Sequence, residues 1–245
     1  MNESSGAEGA QGMPVRTVIE QLTAQPATDG DGVRLLRVFG GQAPERFDPF
    51  LMLDEFGSDD PDAYIGGFPS HPHRGFETVT YMLEGKLEHR DHMGNVGLIN
   101  DGDVQWMTAG KGVIHSEMPM QVEGVMRGFQ LWVNLPADKK MQPARYGEIK
   151  AAEIPVYPLP SDNGTITVKA IAGTTQINGE AIEGYTQVPK MKRVLHTWFE
   201  RHLEGVEGMA DQAVVTHGEY QFYHALFAEC THPGRVGVIL NDMIL

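Results

Sequence analysis

Cysteine and basic residues are scarce in this sequence, and each shortage excludes a class of protein. The 245-residue chain contains one cysteine, which excludes an internal disulfide framework and a cysteine-rich zinc module. It has 19 Lys and Arg against 33 Asp and Glu, a formal net charge of −14. Because phosphate binding requires a basic surface, we expect no direct nucleic-acid partner, whereas a protein partner is compatible with this charge.

Long apolar runs and targeting signals are also missing. The sequence has no apolar run of about 18 residues, so it predicts no membrane span and no membrane partner. Residues 1–12 have neither the basic patch nor the apolar core of a secretory signal, and we predict a disordered lead-in there. Together with the single cysteine, these features favour a cytoplasmic protein. The serine-hydrolase elbow, the P-loop and the Rossmann fingerprint are absent as well.

Turn-forming residues are abundant, with 29 glycines and 15 prolines. Between them lie short segments with strand-like alternation, spaced about 8 to 12 residues apart, which is typical of an all-β sandwich or barrel. The clearest predicted strands are Val33–Phe39, Glu77–Leu83, Lys86–Asp91, Val104–Thr108, Val113–Met118, Phe129–Leu135 and Thr165–Ala172. We predict an N-terminal domain over 13–136, a proline-containing connector over 137–160 and a C-terminal domain over 161–245.

Four residues form the pattern with the strongest chemical content. His71 and His73 are separated by one residue, and so are His115 and Glu117. In a strand, residues i and i+2 point to the same face, so each pair can present two side chains together. Two adjacent strands could then bring three imidazoles and one carboxylate to one point, a donor set that suits a divalent transition metal. An octahedral ion would keep two positions open for substrate and oxygen.

Other polar residues near this pattern have less specific spacing. His89 and His92 lie three residues apart in a charged setting beside a turn, and we predict that both are at the surface. Glu77 lies an even number of residues from His73, so a continuous strand would place both on one face, and Glu77 could approach the metal. The favoured interpretation is that Glu77 is a structural hydrogen-bond acceptor. Cys230 is predicted to be a small buried side chain rather than a nucleophile.

The same residues carry a family resemblance. Two segments resemble the two motifs of the cupin superfamily: GFPSHPHRGFETVTYMLEG (67–85) and GDVQWMTAGKGVIHSEMP (102–119). Within that superfamily, their amino-acid sequences resemble those of the pirin family. The resemblance runs from about Val15 to Pro189. It implies a bicupin fold of two antiparallel β-barrels, with one metal ion in the N-terminal barrel. The residues that match the family's metal ligands are His71, His73, His115 and Glu117.

The resemblance also implies a function. Family members bind iron, and some act as quercetin 2,3-dioxygenases, so we expect Fe(II), with Cu, Mn, Ni or Co as alternatives, and a small aromatic substrate together with O2. Glu117 is the candidate general base for a substrate hydroxyl. The candidate pocket residues are Phe50, Met52, Phe56, Arg74, Trp106, Met107 and Trp132. The alternative is a non-enzymatic, iron-binding redox sensor and co-regulator that acts through protein partners; a purely structural metal is a third hypothesis.

The last part of the chain departs from the family pattern. After about Pro189 the sequence is rich in histidine and its apolar spacing is poor, where a second series of barrel strands is expected. Two hypotheses remain open for residues 190–245, a strongly diverged domain and a frame-shifted tail. Under either, the C-terminal barrel is predicted to be incomplete or diverged.

Overall fold

The computed structural model describes residues 21–41, 46–161, 164–177, 180–185, 212–214, 226–232 and 235–241. The predicted lead-in over 1–12 lies outside these residues, as does most of the tail after 189. In chain order the strands are β1 (Gln21–Thr23), β2 (Gln25–Asp29), β3 (Val33–Gly40), β4 (Phe50–Ser58), β5 (Phe68–His73), β6 (Phe76–Glu84), β7 (Leu87–Asp91), β8 (Val96–Ile99), β9 (Val104–Thr108), β10 (Val113–Pro119), β11 (Met126–Asn134), β12 (Arg145–Ile149), β13 (Val156–Ser161), β14 (Gly164–Ala172), β15 (Thr174–Ile177), β16 (Glu180–Glu183), β17 (Gln212–Val214), β18 (Leu226–His232) and β19 (Arg235–Asn241).

All pairings among these strands are antiparallel, which confirms the all-β prediction. Short 3-10 turns occur at Pro61–Ala63 and Ala151–Glu153. The part of the chain that the structure describes contains no helix long and apolar enough to cross a membrane.

Two sheets form the N-terminal barrel. The larger has seven strands in the order β12-β9-β6-β11-β4-β3-β2, and the smaller has four in the order β5-β10-β7-β8. The β12 strand lies inside the predicted connector 137–160 but pairs with β9, so part of that segment belongs to the first sheet. One face of the larger sheet is polar near the smaller sheet, where Thr80 and Gln105 reach β10.

The opposite face of the larger sheet is apolar and is covered by the C-terminal part of the chain. Val79 and Tyr81 of β6 and Leu131 of β11 share one core cluster with Ile171 and Ala172 of β14. Each such large side chain contributes roughly 1.5–3 kcal/mol when fully buried, so this cluster binds the two parts of the chain together. Because β6 has a covered sheet face on both sides, six successive residues of it are buried.

The C-terminal part forms a sheet of its own. Its described strands give a four-stranded sheet in the order β13-β14-β18-β19 and a two-stranded hairpin of β15 and β16, while β17 pairs with β1. This agrees with a bicupin plan in which the second barrel is incomplete or diverged. Cys230 lies in β18, and its side chain is outside the described residues, so its burial stays a prediction.

Candidate metal centre

The two strands of the predicted ligand pattern are neighbours. On β5 and β10, His71 pairs directly with His115, and His73 pairs with Val113. The Nε2 atoms of His71 and His73 are 3.0 Å apart, and the His115 ring centroid lies 4.4 Å from that of His71 and 4.9 Å from that of His73. One nitrogen from each of the three rings lies within 4.8 Å of the other two. The structure therefore brings the three predicted histidines into one cluster.

A glycine turn follows the C-terminal end of β5 and fixes its position. Gly75 follows His73 by two residues and has a φ of +81°, a conformation that side-chain-bearing residues rarely adopt. Its amide donates to the carbonyl of Gly110 at 2.8 Å, which ties the β5–β6 turn to the loop before β10. The turn thus holds the two histidine-bearing strands in register.

Glu117 occupies a different part of the same centre. Glu117 follows a register shift in the pairing of β10 with β5, and on the other side of β10 it pairs directly with His89 of β7. His89, His115 and Glu117 form a second group of possible ligands. The buried Glu117 carboxylate accepts hydrogen bonds at Oε1 from Gln105 and Thr80, and at Oε2 from Gln130 at 3.0 Å. The four predicted ligands therefore fall into two groups of possible ligands that share His115. His71 and His73 belong to one group, and Glu117 belongs to the other.

The buried imidazoles are neutral at physiological pH. Burial, together with the neighbouring rings of His115 and His71, lowers the pKa of His73 to about 4. Burial likewise lowers the pKa of His115 to about 3, with the rings of His71 and His89 acting in the same direction. Neutral imidazole is the form that binds metal ions, because its nitrogen carries a free lone pair.

One atom of the cluster has an unmet bonding requirement. Nε2 of His115 is buried and has no hydrogen-bond partner. An unsatisfied buried polar atom costs about 1–3 kcal/mol, and coordination of a metal ion would remove that cost. Together with ring nitrogens from three separate histidines, this orphaned atom makes the cluster a chemically suitable site for a divalent transition metal.

His89 was expected at the surface, and this prediction is wrong. Its side chain is fully buried, with Nδ1 3.3 Å from Nδ1 of His115 and its ring stacked on Tyr146 at 4.2 Å and 18°. The sequence did contain a signal for this burial. Leu87 and His89 lie two residues apart in β7 and therefore point to the same face, and the apolar Leu87 is buried. His92 lies beyond the strand end and is exposed, as predicted, with Nδ1 accepting from the Ile114 amide.

Glu77 is held as a structural acceptor, the favoured interpretation of the sequence. Its Oε2 accepts from Trp106 Nε1 at 3.0 Å, and its Oε1 accepts from Thr108 Oγ1 at 2.7 Å. Both partners lie on β9, next to β6, so this buried carboxylate links two strands of the larger sheet.

A cavity of about 430 Å³ opens beside the histidine cluster. His71 and His73 line it, together with the aromatic rings of Phe56, Phe68 and Trp132. Gln130 contributes an amide, and Asp29, Asp31 and Asp54 contribute carboxylates. The cavity therefore gives a small molecule access to two of the clustered imidazoles.

Of the predicted pocket residues, Phe56 and Trp132 line this cavity. Phe50 and Trp106 pack against the core cluster shared with β14 instead, and at Phe50 a register shift between β4 and β11 interrupts the alternation that Phe56 follows. The remaining three also lie elsewhere in the described chain: Met52 is buried beside Gly40, Met107 packs with Ala109 and Val113, and Arg74 is exposed near the sulfur of Met141.

Comparison with known proteins identifies relatives of this domain. The family model described as Pirin matches residues 32–133. A Pseudomonas aeruginosa protein provisionally named quercetin 2,3-dioxygenase is 62% identical over 158 residues, which are 64% of this chain and 54% of that protein. Human pirin is 43% identical over 177 residues, 72% of this chain and 57% of that protein. The chain thus spans about half the length of the curated relatives it matches.

Solved structures give the same result. A crystal structure of quercetin 2,3-dioxygenase from Acinetobacter baumannii matches with a TM-score of 0.63 at 28% identity, over 89% of this chain and 65% of that chain. A Geobacillus kaustophilus structure matches with a TM-score of 0.59 at 28% identity, over 89% of this chain and 69% of that chain. The matched sequence, the paired antiparallel sheets and the histidine cluster on β5 and β10 together show that residues 32–133 of this chain form a pirin-family domain.

Proposed function

We propose that this chain is a metal-dependent dioxygenase that acts on a flavonol such as quercetin, with O2 as the second substrate. The observation that carries the proposal is the cavity of about 430 Å³, which has an aromatic wall and ends on His71 and His73 of the three-histidine cluster. Its volume is in the range of small-molecule sites, about 300–1,000 Å³, and its lining combines three aromatic rings with polar side chains that can orient a ligand. The names of the relatives support the same substrate class.

The residues proposed to hold the metal are His71, His73, His115 and Glu117. Iron(II) is the first candidate, and Cu, Mn, Ni and Co remain alternatives, since imidazole and carboxylate donors accept all of them. When bound there, such an ion lowers the pKa of a coordinated hydroxyl and polarises it.

The chain's own residues supply the remaining functions. We assign Glu117 the role of general base, which takes the proton of the substrate hydroxyl onto its carboxylate. Hydrogen bonds from Gln105 and Gln130 fix that carboxylate, and Trp132 Nε1 in turn donates to Gln130 Oε1 at 3.2 Å. The rings of Phe56 and Trp132 offer flat apolar surfaces for an aromatic substrate.

The domain division belongs to this proposal. We assign the metal-binding domain to 13–136, the connector to 137–160 and the second cupin-like domain to 161–245, with 1–12 as a lead-in. The strands that carry the histidine cluster, β5 and β10, fall within the first of these ranges.

The test is quercetin consumption in air by protein loaded with Fe(II), with the same assay under nitrogen as a blank. We expect turnover that requires O2, is lost in His71→Ala and His115→Ala, and is retained in His92→Ala, whose side chain lies outside the cluster. Loss of turnover in Glu117→Gln with retention of metal would support the assignment of the base. Metal-loaded protein that converts no flavonol would overturn the enzyme proposal and favour the redox sensor that acts through protein partners.

A further inference from the structure

The two ring nitrogens of His115 lie in different surroundings. Nδ1 is 3.3 Å from Nδ1 of His89, within hydrogen-bond distance, whereas Nε2 is buried without a partner. Two ring nitrogens in contact must share one proton, so one imidazole donates and the other accepts. The direction of this hydrogen bond decides which nitrogen of His115 has a free lone pair.

The far side of His89 determines that direction. Its Nε2 lies 3.5 Å from Oδ2 of Asp91, and both side chains are fully buried. This Nε2 makes no hydrogen bond, so the carboxylate acts on it through its charge alone. This carboxylate acts as an acceptor, since it takes hydrogen bonds from the amides of Met93 and Asn95 and from the Asn95 side chain. A carboxylate beside Nε2 favours the tautomer of His89 with its proton on Nε2. Nδ1 of His89 is then an acceptor, and Nδ1 of His115 is the donor.

The His89 ring is also fixed in its plane. Tyr146 of β12 stacks on it, and the Tyr146 hydroxyl donates to Oε1 of Glu148 at 2.7 Å. Gly97 of β8 pairs with His89 in the sheet, and a Cβ at Gly97 would collide with the Tyr146 hydroxyl. A glycine at this point of β8 therefore leaves the room that the stacked tyrosine needs.

We propose that His89 is a positioning residue of the metal centre, an inference that rests on the metal site proposed above. His89 accepts the Nδ1 proton of His115 and so keeps the lone pair of His115 Nε2 free for a metal ion. Asp91 sets the tautomer of His89, and Tyr146 sets the plane of its ring. Outer partners of this kind orient metal-binding histidines in general, and their loss typically weakens metal binding by about 10- to 100-fold.

The test measures binding of Cu(II), which such donors bind tightly, by competition with a chelator, and counts the coordinated imidazoles by pulsed EPR. We expect weaker binding by about 10- to 100-fold in His89→Leu. Part of the loss should be recovered in His89→Gln, whose amide oxygen can accept the His115 proton. Both variants should show the wild-type number of coordinated imidazoles. Arg90→Gln is the matched control, because Arg90 is the next residue on β7, is exposed and pairs with Glu88.

A second variant tests the role of the Asp91 carboxylate if His89→Leu does not fold. In Asp91→Asn the oxygen can keep the backbone contacts of Oδ1, while the amide group faces His89 Nε2 and favours the opposite tautomer. The Asn95 side-chain amide, which donates to Oδ2 in the wild type, turns over to present its oxygen to the new amide. We expect weakened Cu(II) binding with an unchanged imidazole count there too. Unchanged affinity in folded His89 and Asp91 variants would overturn the inference alone, as would loss of one coordinated imidazole, which would make His89 itself a ligand. A wild-type chain that binds no Cu(II) would overturn the metal site as well.

Discussion

At the scale of single residues, the buried imidazoles couple the stability of the metal-free protein to pH. Folding lowers the pKa of His73 to about 4 and that of His115 to about 3, from 6.5 for the free side chain. Between these values the unfolded chain binds protons that the folded chain does not, so the free energy of unfolding falls as the pH drops below about 6.5. Above that pH both states carry neutral imidazoles, and this contribution stays constant.

Urea unfolding of the chelator-treated protein at about pH 7 and pH 5 checks this expectation. We expect a lower unfolding free energy at the lower pH, and a smaller difference between the two pH values in His115→Gln, which lacks one of the two groups. Equal pH dependence in the wild type and this variant would show that His115 does not titrate as its burial requires.

At the scale of elements, strand periodicity was enough to predict the three-histidine cluster. His71 and His73 share a face because they lie two residues apart in β5, and pairing with β10 brings His115 opposite His71. The position of Glu117 could not be predicted in the same way. Glu117 follows a register shift in the pairing of β10 with β5, and its neighbour His89 lies on a third strand, β7, whose pairing with β10 is not specified by the residue spacing within β10.

The contact between β8 and β12 gives a prediction about the same centre. In Gly97→Ala the new Cβ meets the Tyr146 hydroxyl and the Glu148 carboxylate, so both must move away from His89. Overpacking of this kind costs about 1–3 kcal/mol of stability, and the displaced tyrosine should also weaken Cu(II) binding. Gly147→Ala on β12 is the control, since its Cβ would lie 3.8 Å from the nearest atom, the carbonyl oxygen of Trp106. Equal stability and affinity in the two variants, measured by thermal unfolding and chelator competition, would contradict this account.

At the scale of the whole molecule, the apolar cluster between the first barrel and β14 makes the two parts interdependent. Ile171 is fully buried in the cluster that also contains Val79 and Leu131 of the first barrel. We expect Ile171→Ala to destabilise the protein by about 2–5 kcal/mol. The metal centre should unfold in the same transition as the rest of the protein. Far-UV circular dichroism monitors the fold, and the spectrum of bound Cu(II) monitors the metal centre. Loss of the C-terminal signal at a temperature where the metal signal persists would show that the two parts unfold independently.

The fold of the first barrel could be predicted from sequence, whereas the end of the chain could not. Strands such as Val104–Thr108 are bounded by Gly and Asp turns, and the structure has the same bounds for this strand. In residues 190–245 the apolar spacing is poor, and their described parts are the strands β17, β18 and β19. Sequencing the coding region decides between the two hypotheses for this tail. An alternative frame that restores a pirin-like sequence would support a frame shift, and its absence would support a diverged domain.

Elemental analysis shows whether the three-histidine cluster holds a metal ion. The wild type and His115→Gln are purified identically without added metal, and circular dichroism establishes that both are folded. We predict one transition-metal ion per chain in the wild type and a large loss of metal in the variant. The reason is that Nε2 of His115, which has no hydrogen-bond partner, is lost as a metal ligand. A folded wild type that remains free of metal after incubation with Fe(II), or equal metal content in both proteins, would contradict the account.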